Sequence, residues 1–131
     1  MVSKTEIGRQ GEFLAAYILE TFGVECHYVN RTGADLWCMI NGAVRTIEIK
    51  SASASRTSYG HTKRPREPLA NPVYSFHTNK KTAEFFCFVA LDRQLLLVRP
   101  AAAVTAMTTR IPVSEFNAQN QSRTIDEMLK T

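Results

Sequence analysis

The dipeptide Asn41-Gly42, set between the apolar runs GADLWCMI and AVRTIEIK, constrains this chain more than any other feature. Both residues tolerate the positive φ of a type I′ turn, so a two-residue hairpin loop is expected there. With that loop, Ile40 faces Ala43, Met39 faces Val44, Trp37 faces Thr46 and Asp35 faces Glu48. Directly opposed residues have Cβ atoms roughly 4.5–5.5 Å apart. Lys50 lies two residues beyond Glu48 and points the same way. The hairpin therefore gathers Asp35, Glu48 and Lys50 at one end of one sheet face. Its other face carries Leu36, Cys38, Ile40, Ala43, Ile47 and Ile49, a core surface interrupted by Arg45.

Two carboxylates held close repel each other unless a cation sits between them. Hard oxygen donors on a partly open site suit Mg²⁺, which keeps several waters and binds through one or two carboxylates together with substrate phosphate. A lysine beside them places positive charge where an anionic phosphate or an attacking hydroxide would lie. The layout is suited to metal-assisted phosphodiester hydrolysis. An exposed cross-strand salt bridge, worth little, is the alternative use of the same residues. Asp followed later by Glu-x-Lys is a short pattern that arises by chance in many chains.

The chain has 131 residues, which points to one domain, and 44% apolar content, enough for one core. A net charge of +4 favours an anionic partner such as nucleic acid. Cys26, Cys38 and Cys87 are odd in number and widely spaced, forming neither a zinc pattern nor a disulfide framework, and Cys38 and Cys87 fit a core. With no apolar leader segment and no run of ~18 apolar residues, neither export nor a membrane is expected, and the compartment expected is the reducing cytoplasm.

In chain order, Ser3-Lys4-Thr5-Glu6 fits a capping box, and a helix is expected from there to about Phe22, with Gly23 as its C′ residue. Ile7, Gly11, Leu14, Ala15, Ile18 and Phe22 form its apolar stripe. Gly8 and Gly11 each weaken it by roughly 1 kcal/mol relative to alanine, so close approach to another backbone is their expected use. Glu12 sits at the stripe's edge, either as a solvated residue or as a third carboxylate reaching the hairpin site. Residues 24–30 fit a first strand in which His27 is an ordinary, partly buried residue. Arg31-Thr32-Gly33 fits a turn, with Arg31 either solvated or touching phosphate.

Residues 51–72 carry three prolines, four serines and the cations Arg56, Lys63, Arg64 and Arg66 against Glu67. They are expected as a long basic loop placed to track a phosphodiester backbone, with Tyr59 and His61 as further contacts, or else as a solvated loop. Residues 73–77 alternate as a strand, and Asn79, Lys80 and Lys81 fit a polar turn. Residues 85–91 and 95–98 read as a buried hairpin at the sheet centre, with Pro100 ending its second strand. The tail at 101–131 does not resolve into definite elements: 101–107 fits a short helix or a strand, and Ser114 is a candidate cap for a helix through Leu129, although 117–122 is weak helix material.

Gly-x-x-Gly-Glu on a helix, then Gly-x-Asp, then Glu-x-Lys on an Asn-Gly hairpin resembles the PD-(D/E)XK nuclease superfamily across residues 5–52, and more loosely from Tyr74 to Pro100. The likeness is to small intron- or phage-encoded homing-type members, and in the N-terminal half also to archaeal Holliday junction resolvases. It implies an α/β (α+β) restriction-endonuclease-like core: a central mixed sheet, an N-terminal helix bearing Glu12, and flanking helices. It implies that Asp35, Glu48 and the Ile49 carbonyl hold Mg²⁺, with Mn²⁺ able to substitute, and that Glu12 acts on the metal directly or through water. Lys50 would orient or activate the water and stabilise developing charge. Ala34 stands where the superfamily's name pattern has proline. The function implied is a metal-dependent endonuclease on double-stranded or branched DNA, with a junction resolvase or an inactive nucleic-acid-binding module as alternatives. Cutting two strands calls for a homodimer or homotetramer, with candidate interfaces on the 85–98 hairpin and around Phe116, Ile125, Met128 and Leu129.

Overall fold

The computed structural model describes residues 3–31, 34–58, 68–79 and 83–131. Helix α1 (Lys4–Thr21) is followed by β1 (Glu25–Arg31), β2 (Ala34–Ile40), β3 (Ala43–Ala52), β4 (Arg56–Ser58), β5 (Pro68–His77), β6 (Phe85–Ala90), β7 (Leu95–Pro100), β8 (Thr108–Pro112) and helix α2 (Ala118–Leu129). The ends of α1 follow from local chemistry. The Ser3 side chain accepts from the Glu6 N–H at 3.2 Å, and Gly23 adopts φ +82° just past the C-cap.

One five-stranded mixed sheet, ordered β1-β2-β3-β6-β7, forms the middle layer. Asn41 and Gly42 both have positive φ, and the β2–β3 pairs run from Ile40–Ala43 to Leu36–Ile47 as the two-residue turn requires. β3 and β6 pair in parallel, Ile47 against Phe85 through Ala52 against Ala90. On one face α1 and α2 bury Leu36, Cys38, Ile40, Ile47, Ile49, Cys87 and Val98. On the other, a three-stranded sheet, β4-β5-β8, encloses a second cluster that includes Tyr74, Phe76, Phe86, Phe88 and Phe116. β6 is buried along its whole length because it lies under both layers.

The structure corrects several expectations. Residues 51–72 do not form one long loop: β3 runs on to Ala52, β4 follows, and β5 already begins at Pro68. The apolar hairpin is not central, since β7 is an edge strand. That edge is covered by α2, where Gln121 Oε1 accepts from Leu96 N–H at 3.0 Å and Thr124 Oγ1 from Val98 N–H at 3.1 Å. Asn117, not Ser114, caps α2, accepting from the Asn120 N–H at 2.8 Å. Residues 101–103 form a 3₁₀ turn and β8 follows. The surfaces offered for assembly are interior instead: β6, Leu96, Leu97, Val98, Phe116, Ile125 and Met128 are buried, and Leu129 packs against the core. His27 is exposed, 2.7 Å from Glu25 Oε2, and Ala43 is exposed at the turn. Arg45 leaves the core face to pair with Glu84 at 3.0 Å. All three cysteines are free, with the Cys26 and Cys38 sulfurs 3.4 Å apart across β1–β2.

The two helix glycines have different reasons. A Cβ on Gly11 would lie 1.6 Å from Ser51 Oγ and 2.8 Å from Ser51 Cβ, so α1 can lie this close to β3 only without a side chain there. A Cβ on Gly8 would meet nothing within 4 Å. Gly11→Ala is therefore expected to destabilise by about 1–3 kcal/mol through overpacking. Gly8→Ala is expected to stabilise by up to about 1 kcal/mol through helix propensity. Urea denaturation of both variants measures this, and equal effects at the two positions would remove the packing role of Gly11.

Candidate functional site

The backbone of β3 shows how the site is assembled. In a parallel ladder alternate residues turn their peptide groups to the partner strand. The Thr46 and Ala52 carbonyls accept from Glu84 and Leu91 N–H on the β6 side, at 3.2 and 2.9 Å. By alternation Ile47, Ile49 and Ser51 turn theirs the other way, toward β2. The described β2–β3 pairs end at Leu36–Ile47, one residue short of Asp35 and Glu48. Here the structure departs from the extended pairing expected: Asp35 Oδ2 accepts the Ile49 N–H at 2.7 Å, taking the place of a strand partner. The same alternation turns the Ile49 carbonyl to the Asp35 side, where a hard-oxygen ligand was expected.

Glu48 and Lys50 lie on the same face, as the period of two dictates, and pair through Oε2 and Nζ at 2.8 Å. Their side chains are 14% and 26% exposed, so the pair is shielded from water more than an ordinary surface salt bridge. Glu12 enters from α1. Burial raises its carboxyl pKa above the ordinary value; the Asp35 charge and a hydrogen bond with Asp35 raise it further, against an opposing pull from Arg9. Helix and hairpin thus bring two acidic side chains into contact. The open choice for Glu12 between solvent and the hairpin is decided toward the hairpin, and the Gly11–Ser51 contact one residue away sets how near the helix comes.

Asp35, Glu12, Glu48 and the Ile49 carbonyl offer hard oxygens only, the donor set that suits Mg²⁺ or Mn²⁺. Burial and the nearby Asp35 charge both disfavour the ionised Glu12 carboxyl, and a divalent cation would offset both. Among the described residues no group of three His, Cys, Asp or Glu side chains forms a ready protein cage. Mg²⁺ does not require one, because water and substrate phosphate complete its shell.

The expected DNA-binding residues are more scattered. Arg56 is exposed on β4, close to the end of β3, and Arg31 ends β1. Lys63, Arg64 and Arg66, with Tyr59 and His61, lie outside the described residues, as do Thr32, Gly33, Lys80 and Lys81. Sequence reasoning missed Ser51, whose tight contact with Gly11 joins helix to strand, and Lys4 and His77, which line an open cleft beside Lys50. Gly-x-x-Gly in α1 carried a signal for the first; nothing in the spacing marked the other two.

No protein-family model matches the chain, and no curated protein sequence matches it. Its fold is similar to that of a bacterial homing endonuclease, I-Ssp6803I, with a TM-score of 0.60 and 16% sequence identity over 84% of this chain and 78% of that one. That likeness establishes the architecture: a mixed α/β fold of the kind that carries a nuclease.

The raised Glu12 pKa has a consequence for pH. A carboxyl whose folded pKa lies above its unfolded one favours the folded state while protonated. That contribution is present below the ordinary Glu value and is lost as pH rises through the raised value. Glu12→Gln should remove this loss, so that its stability advantage over wild type grows across that window and levels off above it. Denaturation midpoints between pH 4 and 8, without divalent ions, measure this; parallel curves for the two proteins would mean that neither burial nor Asp35 raises the Glu12 pKa.

Proposed function

We propose that the chain is a Mg²⁺-dependent DNA endonuclease of the PD-(D/E)XK type, with a homing-type role in a mobile element or phage. The observation that supports it most is the convergence of Glu12 with Asp35, beside the Glu48–Lys50 pair, where β2 and β3 part on a nuclease fold. The similar fold belongs to a homing endonuclease, which favours duplex DNA as the substrate.

In this reading Asp35, Glu48 and the Ile49 carbonyl hold Mg²⁺, with Glu12 acting directly or through a water. When bound, the ion supplies Lewis-acid activation of the phosphate and lowers the pKa of a water. The chain's own residues do the rest. Asp35 is oriented by the Ile49 N–H, so its second oxygen is fixed before any ligand arrives. Lys50, held by Glu48, places an ammonium beside the reacting phosphate, where it orients the attacking water and offsets charge developing on the phosphoryl oxygens. Its partner Glu48 is shared, so binding of cation and phosphate redistributes an ion pair that already exists. Cutting both strands requires two such sites, most simply in a homodimer or a homotetramer.

A cleavage assay on linear duplex, supercoiled plasmid and four-way junction tests the proposal. Asp35→Asn and Glu48→Gln should lower the rate about a thousand-fold, the equivalent of several kcal/mol of lost charge stabilisation, without unfolding the protein. EDTA should abolish cleavage and Mn²⁺ restore it. Lys50→Met should lose about a hundred-fold or more, and Lys50→Arg should also fall, because the planar guanidinium cannot occupy the ammonium's place beside Glu48. Cleavage that persists in EDTA, or full activity in Lys50→Met, would contradict the proposal; preferential cutting of the junction would reassign the substrate.

A further inference from the structure

We infer that the cleft between the first turns of α1, the end of β3 and the end of β5 is the channel through which a DNA strand's phosphodiester backbone reaches Lys50, an inference that rests on the nuclease reading above. The cleft measures about 720 Å³ and is open to solvent. Lys4 and Gly8 contribute one wall, Lys50 and Ser53 the floor and the bend after β3, Arg56 the start of β4, and His77 the end of β5. Four different elements each bring a cation or an imidazole, and among the described residues no carboxylate belongs to the lining. In a chain with 12 acidic residues, a cleft this size whose described lining is basic and neutral presents a single sign of charge to a ligand.

Two further observations point to an extended anion rather than a small neutral ligand. Lys50 belongs both to this cleft and to the Glu48 pair, so a polyanion lying along the cleft passes the ammonium proposed to act on the scissile phosphate. Gly8 supplies the second. A glycine inside a helix is unfavourable, and at Gly8 neither a positive φ nor a close neighbour requires it. Gly8 does line the cleft, where any side chain would project into the path. Packing explains Gly11 and access explains Gly8.

The test uses the full chain and a fluorescein-labelled DNA duplex in Ca²⁺, which permits binding to be read separately from Mg²⁺-dependent cleavage. Anisotropy is followed over a range of KCl concentrations. Lys4→Ala and Arg56→Ala are each expected to reduce the log–log salt slope by about 0.9, the value for one lost phosphate contact on duplex DNA. Gly8→Leu, whose side chain fills the cleft, is expected to weaken binding at least about tenfold while melting no lower than wild type by circular dichroism. Asp35→Asn is expected to bind like wild type and fail to cut. If Gly8→Leu and the two cation variants bind with wild-type affinity and slope while wild type still cuts, the channel assignment is overturned and the nuclease reading stands. If wild type binds DNA through the cleft but never cuts, the nuclease reading falls and the binding site stands. If wild type does not bind DNA, both fall.

Discussion

The site depends on one unsatisfied amide. β3 is bordered by β6 along its whole second half, but β2 pairs with it only as far as Leu36–Ile47. Beyond that point the N–H of Ile49 still points toward β2, and a buried peptide donor without a partner is costly, by about 1–3 kcal/mol. Asp35 answers it with a carboxylate oxygen at 2.7 Å. That bond anchors the acid, and the alternation along β3 turns the Ile49 carbonyl to the same edge. It also marks the place where the two strands separate enough for a third group to come in from the helix. Without the parting of the strands there would be an ordinary ladder here and no room for Glu12.

What comes in is governed by a second, steric constraint. α1 lies across β3 with Gly11 against Ser51, closer than any residue with a Cβ permits. Glu12 is the next residue, and its carboxyl meets Asp35 in a partly buried setting that penalises two negative charges. A fold selected for stability alone would place a neutral residue at one of these positions. The other layers supply rigidity: the β4-β5-β8 sheet closes the opposite face over aromatic residues, and α2 seals the β7 edge. Glu48 therefore sits on a strand paired with β2 on one side and β6 on the other, the kind of support a site needs to keep its geometry.

Much of this was legible in the sequence, because it rests on local rules. Asn41-Gly42 defined the turn, and the turn defined the register from Ile40–Ala43 to Leu36–Ile47. Ser3 and Gly23 marked the ends of α1, and the period of two put Glu48 and Lys50 on one face. What was not legible depends on partners distant in sequence. Residues 117–122 look poor as a helix because Gln121 contributes its side chain to the Leu96 N–H of an edge strand, a duty that local propensity does not express. β5 begins at Pro68 and passes Pro72, residues that read as loop until the neighbouring strands are known. Gly8 and Gly11 are alike in sequence, and only the neighbours of each show that one serves packing and the other leaves a cleft open. Phe116, Ile125 and Met128 were equally fit for an interface or a core, and the structure buries Phe116 beneath the β4-β5-β8 sheet and the other two between α2 and the five-stranded sheet.

The central claim is that the acids Glu12, Asp35 and Glu48, together with the Ile49 carbonyl, form one divalent-cation site at the parting of β2 and β3. Anomalous scattering from a crystal of the protein soaked in Mn²⁺ tests it most directly, since Mn²⁺ takes the same oxygen donors as Mg²⁺ and can be located without reference to any activity. The account predicts a peak bounded by the Asp35 and Glu48 carboxylates and the Ile49 carbonyl, with Glu12 in contact or one water away, and its loss in Asp35→Asn. A crystal at saturating Mn²⁺ with no peak there, and with the Glu48–Lys50 and Asp35–Ile49 contacts unchanged, would contradict it.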